Sequence, residues 1–171
     1  MKYEPNDFIV VCKREAGWRA VNLFSKLTGV RVFTKKYPAG ILTNPKLPSF
    51  FETEMVVVCD PWLDKNALND AKNVKKQVLA LCDTNNLDNG VDVVVPINNK
   101  SNKSLGVAFY IFAREYMKAK GIKEKLPEME EFIGEKLQEL QVRKKEDKKK
   151  EIELERDKAK IERIRELDKE E

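Results

Sequence analysis

Five short apolar runs, rich in β-branched residues, limit what this chain can fold into. Their apolarity is nearly continuous rather than alternating, which is typical of strands buried on both faces of a parallel sheet. The last run is predicted to be a buried strand that stops at Pro96. The five predicted strands are Phe8–Cys12, Val30–Phe33, Met55–Cys59, Val78–Cys82 and Val91–Val95.

The segments between the runs have helical patterns. Apolar residues recur at helical spacing over Glu15–Leu27 and Lys103–Lys120, and Gly29 and Gly121 stand where helix ends are expected. A shorter helix is predicted over Asp64–Asn73. Alternation of strands and helices predicts a three-layer α/β/α fold with a mostly parallel, flavodoxin-like or Rossmann-like sheet.

Domain boundaries follow from changes in composition. Residues 1–122 form the predicted α/β domain, and 123–142 a linker with a short amphipathic helix carrying Phe132, Ile133, Leu137 and Leu140. Residues 143–171 form a predicted charged helical tail, with 23 of 29 positions charged. A solvated helix, a partner-binding helix and an arm that tracks RNA all stay open for the tail. The proline-rich segment Thr34–Thr53 is predicted to be an ordered loop with a function.

The sequence argues against catalysis. There is no histidine, and no glycine-rich nucleotide loop or nucleophile motif occurs. The three cysteines each close an apolar run and are predicted to be buried and reduced, while Asp60 and Asp83 suit turns. We therefore predict no catalytic residue, metal, cofactor or small-molecule substrate. No apolar run approaches the length of a membrane span, so no membrane partner is expected.

Basic residues are expected to gather at one edge of the sheet. The first 122 residues carry 18 Lys and Arg against 12 Asp and Glu, which suits a polyanionic partner. The carboxyl ends of parallel strands share one edge, where amide side chains can also donate to phosphate, ribose or bases. The cations are Lys13, Arg14, Arg19, Lys35, Lys36, Lys100 and Lys103, and the amides include Asn44, Asn85, Asn98 and Asn99.

Several ordered blocks, spread over roughly residues 5–122, carry a family resemblance. They are Arg14-Glu-Ala-Gly-Trp-Arg19, Pro38-Ala-Gly-Ile-Leu-Thr-Asn-Pro45, Val57-Val-Cys-Asp-Pro61, Ala80-Leu-Cys-Asp-Thr-Asn85, Pro96-Ile-Asn-Asn-Lys100, Lys103-Ser-Leu105 and Ala113-Arg114. In this order and spacing the chain resembles the S-two family of small-subunit ribosomal proteins, in its archaeal and eukaryotic form.

The resemblance implies a cytoplasmic, non-catalytic component of the small ribosomal subunit head that binds rRNA and neighbouring ribosomal proteins. It points to three surfaces: the Lys13–Arg19 turn, the Pro38–Pro45 loop with Leu42, Thr43 and Asn44, and the Asn98–Lys103 loop. It also implies a first strand, placed centrally in the sheet, that would precede Met1. The chain is then a fragment, or its start is misassigned, or another segment completes the sheet. A sheet that lacked an inner strand would expose unpaired backbone edges.

The residues leave two other functions open. A nucleotide- or metabolite-binding α/β enzyme is the alternative from a different class, because this fold hosts many such enzymes. An adaptor that binds another protein through the charged tail is the second. Steep salt dependence of RNA binding would separate the ribosomal reading from the enzyme reading.

Overall fold

The protein is built around a five-stranded, all-parallel sheet. The computed structural model describes residues 4–134, so the predicted tail and residues Leu137 and Leu140 lie outside the described residues. The strands follow the spatial order β2-β1-β3-β4-β5. Their bounds are β1 Phe8–Cys12, β2 Arg31–Thr34, β3 Met55–Val58, β4 Gln77–Cys82 and β5 Val93–Pro96. This confirms the predicted α/β class with a parallel sheet.

Each pair of neighbouring strands is hydrogen-bonded without a gap. β1 lies between β2 and β3, and all five of its residues are buried. Within residues 4–134 the sheet therefore has no gap at an inner position. Among the described strands, β2 and β5 are the outermost.

The prediction that the last strand is buried is also wrong. β5 lies at the edge of the sheet, where Val93 is 52% exposed and Val94 42% exposed. Its run is as apolar as those of the inner strands. Apolarity alone therefore could not show that β5 has a neighbouring strand on one side only. Pro96, which was expected to stop the strand, is its last residue.

Helices cover the sheet unequally. On one face α1 (Glu15–Thr28) and α3 (Asn102–Lys120) pack against each other and the strands, with Phe24 and Phe109 among the buried side chains. On the other face α2 (Lys65–Asn73) packs with Ala67, Leu68 and Ala71 inward. Gly29 and Gly121 end α1 and α3 in the left-handed conformation, as predicted.

The long connection between β2 and β3 is ordered by its own packing. Asp70 of α2 accepts hydrogen bonds from the Tyr37 hydroxyl at 3.1 Å and the Gly40 N–H at 3.0 Å. Burial and this carboxylate raise the pKa of Tyr37 well above its usual value. The connection's own Ile41 and Leu42 are buried in the core that contains the inner side of α2. These internal contacts hold the loop in place, and its predicted docking role stays a prediction.

A fourth helix, α4 (Met129–Ile133), closes the described part of the chain. It packs against α1 and α3, and its Phe132 is fully buried in the core that contains Phe109. The approach to α3 is close at Gly106, where an added Cβ would lie 2.9 Å from the backbone N and Cα of Ile133. α4 can occupy this position only because residue 106 has no side chain.

Gly106→Ala is expected to lower the free energy of unfolding by about 1–3 kcal/mol, the usual cost of overpacking. The clash is with the backbone of Ile133, which cannot rotate away as a flexible side chain can. Urea denaturation measures the change. Ser104→Ala, a change of one atom on the same helix, is the control and should shift stability by less than about 0.5 kcal/mol. If the wild type and Gly106→Ala unfold at the same urea concentration, α4 does not approach α3 as closely as described.

Candidate nucleic-acid interface

A polar network at the carboxyl edge of the sheet joins the loops that follow four different strands. Asp60, after β3, is 2% exposed and forms an ion pair with Arg14, which follows β1. The other carboxylate oxygen of Asp60 accepts from Asn86 Nδ2 at 3.1 Å, in the loop after β4. Asn86 Oδ1 in turn accepts from Asn99 Nδ2 at 2.8 Å, after β5. The network fixes the loops relative to one another, because each member comes from a separate segment.

Asn99 is central to the network for a reason that lies in the backbone. The end of β4 is bonded by the residues that follow β5 in the chain, since Cys82 pairs in register with Pro96. Ile97 N–H donates to Cys82 O at 2.9 Å, and the Asn99 side chain donates to Leu81 O at 3.0 Å. Asn99 is fully buried. This corrects the prediction of an amide presented to a partner: the side chain completes the end of β4.

The turn after β1 is held by a second buried carboxylate. Asp64 accepts from the Lys13 N–H at 2.9 Å and from the Asp60 N–H at 3.2 Å. Burial raises the pKa of Asp64 to about 7, although these backbone hydrogen bonds act in the opposite direction. Asp64 therefore positions the Lys13 backbone while contributing less than a full negative charge near neutral pH.

The raised pKa predicts a pH dependence of stability. Between the ordinary value of 3.8 and about 7, folded Asp64 keeps a proton that the unfolded chain has released. The folded state binds more protons in this window, so its stability falls as pH rises and levels off above pH 7. Denaturation of the wild type and of Asp64→Asn should show their stability difference falling over this window. A difference that stays constant or grows with pH would contradict the assignment.

Five lysines of the predicted site stand at or near this edge, and we call them the basic edge: Lys13, Lys35, Lys36, Lys100 and Lys103. Lys13, Lys35 and Lys36 line one crevice, together with Asp64 and Asn66. The Lys35 ammonium lies 5.5 Å from the centre of the Trp18 ring, and Trp18 Nε1 donates to Cys12 O at 3.1 Å. Trp18 therefore links the ends of β1 and β2.

The second part of the basic edge follows β5. The Lys100 ammonium lies 3.6 Å from Asp83 Oδ2, and its side chain stays 51% exposed. Asn98 is exposed but uses its Oδ1 to accept from the N–H groups of Lys100 and Ser101 at 3.0 and 3.2 Å. β1 and β5 are three strand spacings apart, about 14 Å. The lysines therefore form two groups on one edge, separated by the Asp60 network.

Two predicted cations are engaged within the fold. Arg14 is occupied by Asp60, and its Nε is buried. Arg19 is exposed, but its Nε donates to Glu131 O in α4. Both arginines therefore have structural partners that the sequence did not indicate.

The Leu42–Asn44 segment lies away from the basic edge. Leu42 is buried, while Thr43 and Asn44 are exposed. Leu42 and Thr43 share a pocket with Val74 and Lys76, which lie between the end of α2 and the start of β4. That position is the amino edge of the sheet. The structure therefore places this segment and the basic edge at opposite edges of the sheet.

Sequence reasoning missed Asp60, Asp64 and Asn86 as the residues that organise the site. Asp60 was interpreted as the start of a turn, and it does accept from the Trp62 N–H at 3.0 Å. The available signal was a carboxylate directly after one apolar run and an arginine two residues after the end of another. Only the strand order shows that these two run ends are neighbours.

Within residues 4–134 no cluster of three or more Cys, Asp and Glu side chains is arranged to hold a metal ion. No helix in the same part of the chain is both long and apolar enough to cross a membrane. All three cysteines are buried free thiols, as predicted.

The sequence matches a known protein family and several of its curated members. The model of the family described as Ribosomal protein S2 matches residues 34–119. A protein of Nanoarchaeum equitans named small ribosomal subunit protein uS2 is 44% identical over 120 residues, which are 70% of this chain and 60% of the relative. Proteins of the same name from Thermoplasma acidophilum and Methanococcus maripaludis are each 38% identical over 120 residues and are covered over 60% and 54% of their length. The chain thus spans about 60% or less of these relatives.

Proposed function

Because this chain belongs to the Ribosomal protein S2 family, we propose that it is a structural, non-catalytic component of the small ribosomal subunit. In this proposal it works in the cytoplasm, within the ribosome, where it contacts rRNA and neighbouring ribosomal proteins in the subunit head. The names of its relatives support this reading. The observation in the fold that supports it most is the basic edge, where exposed lysines stand on loops fixed by a buried network.

The proposed RNA contact uses charge. Lys13, Lys35 and Lys36 present ammonium groups from the ends of β1 and β2, and Lys100 and Lys103 do so after β5. Asp60 and Asp64 cancel only part of this charge, because Asp60 is paired with Arg14 and the raised pKa of Asp64, about 7, leaves it less than a full negative charge near neutral pH. Each lysine that neutralises a phosphate releases counterions, so binding should weaken steeply with salt.

Replacing Lys100 and Lys103 with alanine tests the contact. The probe is an in vitro transcript of an archaeal small-subunit rRNA, titrated with the full chain at several salt concentrations. We expect affinity to fall at least about tenfold and the slope of log K against log salt to decrease by roughly 1–2. The fold should be unaffected, because both side chains are exposed.

The matched control is Lys118→Ala with Lys123→Ala. It removes the same charge at the far end of α3, where Lys118 stands about 25 Å along the helix from Asn102. The control should keep the wild-type salt slope. Equal affinity of the Lys100/Lys103 variant and the wild type, or equal entry of both into small subunits, would show that this part of the basic edge does not contact rRNA.

The same titration addresses the enzyme alternative. The crevice lined by Lys13, Lys35 and Lys36 measures about 390 Å³ and could hold a phosphorylated metabolite. Saturable binding of ATP or AMP, together with RNA binding that does not change with salt, would favour that class. The ribosomal proposal predicts RNA binding that weakens as salt rises and no saturable binding of ATP or AMP.

A further inference from the structure

Two large apolar side chains stand exposed at the carboxyl edge of the sheet. Trp62 follows β3 and is 70% exposed, and Leu87 follows β4 and is 80% exposed. Both line one pocket of about 340 Å³, together with the buried Leu68 of α2. Neither Trp62 nor Leu87 belongs to the two core clusters of the described residues, so the packing of the fold does not account for them.

The walls of this pocket are joined by the network at the carboxyl edge. Trp62 N–H donates to Asp60 Oδ1 at 3.0 Å, which fixes the turn that carries the indole. Asn86 Nδ2 donates to the same oxygen at 3.1 Å, and Asn86 Oδ1 accepts from the Asp83 N–H at 2.8 Å. One carboxylate oxygen therefore links the turn after β3 to the loop after β4. The pocket is preformed, so a ligand does not have to order its walls.

The polar groups around the pocket suit an uncharged, flat group that is attached to a polyanion. Asn85 and Asn89 line it and are exposed, and their amides offer both donors and acceptors. Lys65 is the one charged side chain among the described residues that line it, while Asp88 lines the neighbouring groove. Because β3 and β4 lie between β1 and β5, the pocket stands between the two lysine groups of the basic edge.

We propose that this pocket takes one unpaired nucleobase of the rRNA, stacked on the Trp62 indole. The inference rests on the proposed function, because the lysines on either side supply the contacts to the flanking phosphates. Single-stranded RNA combines flat bases with a charged backbone, and exposed aromatic rings bind such bases by stacking. Asn85 and Asn89 bond the edge of the base, and Lys65 contacts its phosphate. An apolar protein surface would leave these amides and the ammonium without partners.

Trp62→Ala tests the stacking contact, with the full chain and an in vitro transcript of an archaeal small-subunit rRNA. Affinity should fall about tenfold, within the usual range for the loss of one base–aromatic stack. The slope of log K against log salt should stay at the wild-type value, because a stacked base releases no counterions. The urea midpoint should also stay unchanged, because the side chain is 70% exposed.

Two matched variants separate stacking from apolar contact. Trp62→Phe keeps an aromatic face and should retain most of the affinity, while Trp62→Leu keeps only apolar bulk and should bind as weakly as Trp62→Ala. Tryptophan fluorescence gives a second readout, since a stacked base quenches an indole. The transcript should quench the wild type more than Trp62→Phe, in which Trp18 alone remains. A fully paired RNA duplex should show no such difference, because its bases are already stacked on one another.

The inference is overturned if Trp62→Ala binds the transcript as tightly as the wild type while the steep salt dependence remains. That result leaves the proposed function standing, and reduced entry of the same variant into small subunits would then assign the pocket to a neighbouring protein. Wild-type affinity in Trp62→Leu would likewise replace stacking by apolar contact. If the wild type itself does not bind the transcript, the proposed function fails together with this inference.

Discussion

Asp60→Ala is expected to lower the free energy of unfolding by about 3 kcal/mol, at the low end of the cost of breaking a buried ion pair. The variant leaves the Arg14 guanidinium, whose Nε is already buried, without a counter-charge. It also removes the acceptor for the Trp62 N–H and for Asn86 Nδ2. We place the cost at the low end because the Arg14 side chain is 25% exposed. Water can therefore solvate part of the guanidinium when the carboxylate is removed.

Urea denaturation of Asp60→Ala and of a matched control measures this effect. Asp88→Ala removes an exposed carboxylate from a neighbouring loop and should change stability by less than about 0.5 kcal/mol. The double variant Arg14→Met with Asp60→Ala should recover part of the loss, because no unpaired charge is then buried. Similar losses in Asp60→Ala and Asp88→Ala would show that the network does not hold the carboxyl edge together.

Phe109→Ala is expected to cost about 3–5 kcal/mol, the usual range for removing a buried ring. Phe109 of α3 is fully buried, and its ring contacts those of Phe24 in α1 and Phe112 in α3 edge-on, each at 5.7 Å between centroids. It also lines an apolar cavity of about 170 Å³ over the sheet. The substitution enlarges this cavity, and the rings around it lose contacts that nothing replaces.

Ile111→Ala provides the comparison within the same helix. Ile111 is 41% exposed, so its truncation loses less buried area and should cost about 1 kcal/mol or less. The melting temperature measured by calorimetry and the urea midpoint should both be lower for Phe109→Ala than for Ile111→Ala. If Ile111→Ala is as damaging as Phe109→Ala, the face of α3 that carries Phe109 is not the core face.

The sequence predicts the architecture because strand burial and helix periodicity are local patterns. The runs at Phe8–Cys12 and Met55–Cys59 contain the inner strands, and Gly29 and Gly121 end their helices as expected. The exposure of β5 could not be read in the same way. Val93 and Val94 differ from inner-strand valines only in lacking a neighbouring strand, which is a property of topology.

The site was predicted less well, for a related reason. Polar residues after strands look alike in sequence whether they face solvent or each other. Asp60 and Arg14 are 46 positions apart, and Asn99 and Leu81 are 18 apart, so their contacts depend on strand order. The lysines at the ends of β1, β2 and β5 were located correctly at the edge, because parallel strands all end there.

Sedimentation of the tagged chain through a sucrose gradient, after expression in an archaeal host, tests the proposed function most directly. The account predicts that the chain migrates with small ribosomal subunits at low salt, and that Lys100→Ala with Lys103→Ala reduces this fraction while Lys118→Ala with Lys123→Ala does not. A folded wild-type chain that stays at the top of the gradient, while the host's other small-subunit proteins migrate with the subunit, would contradict it.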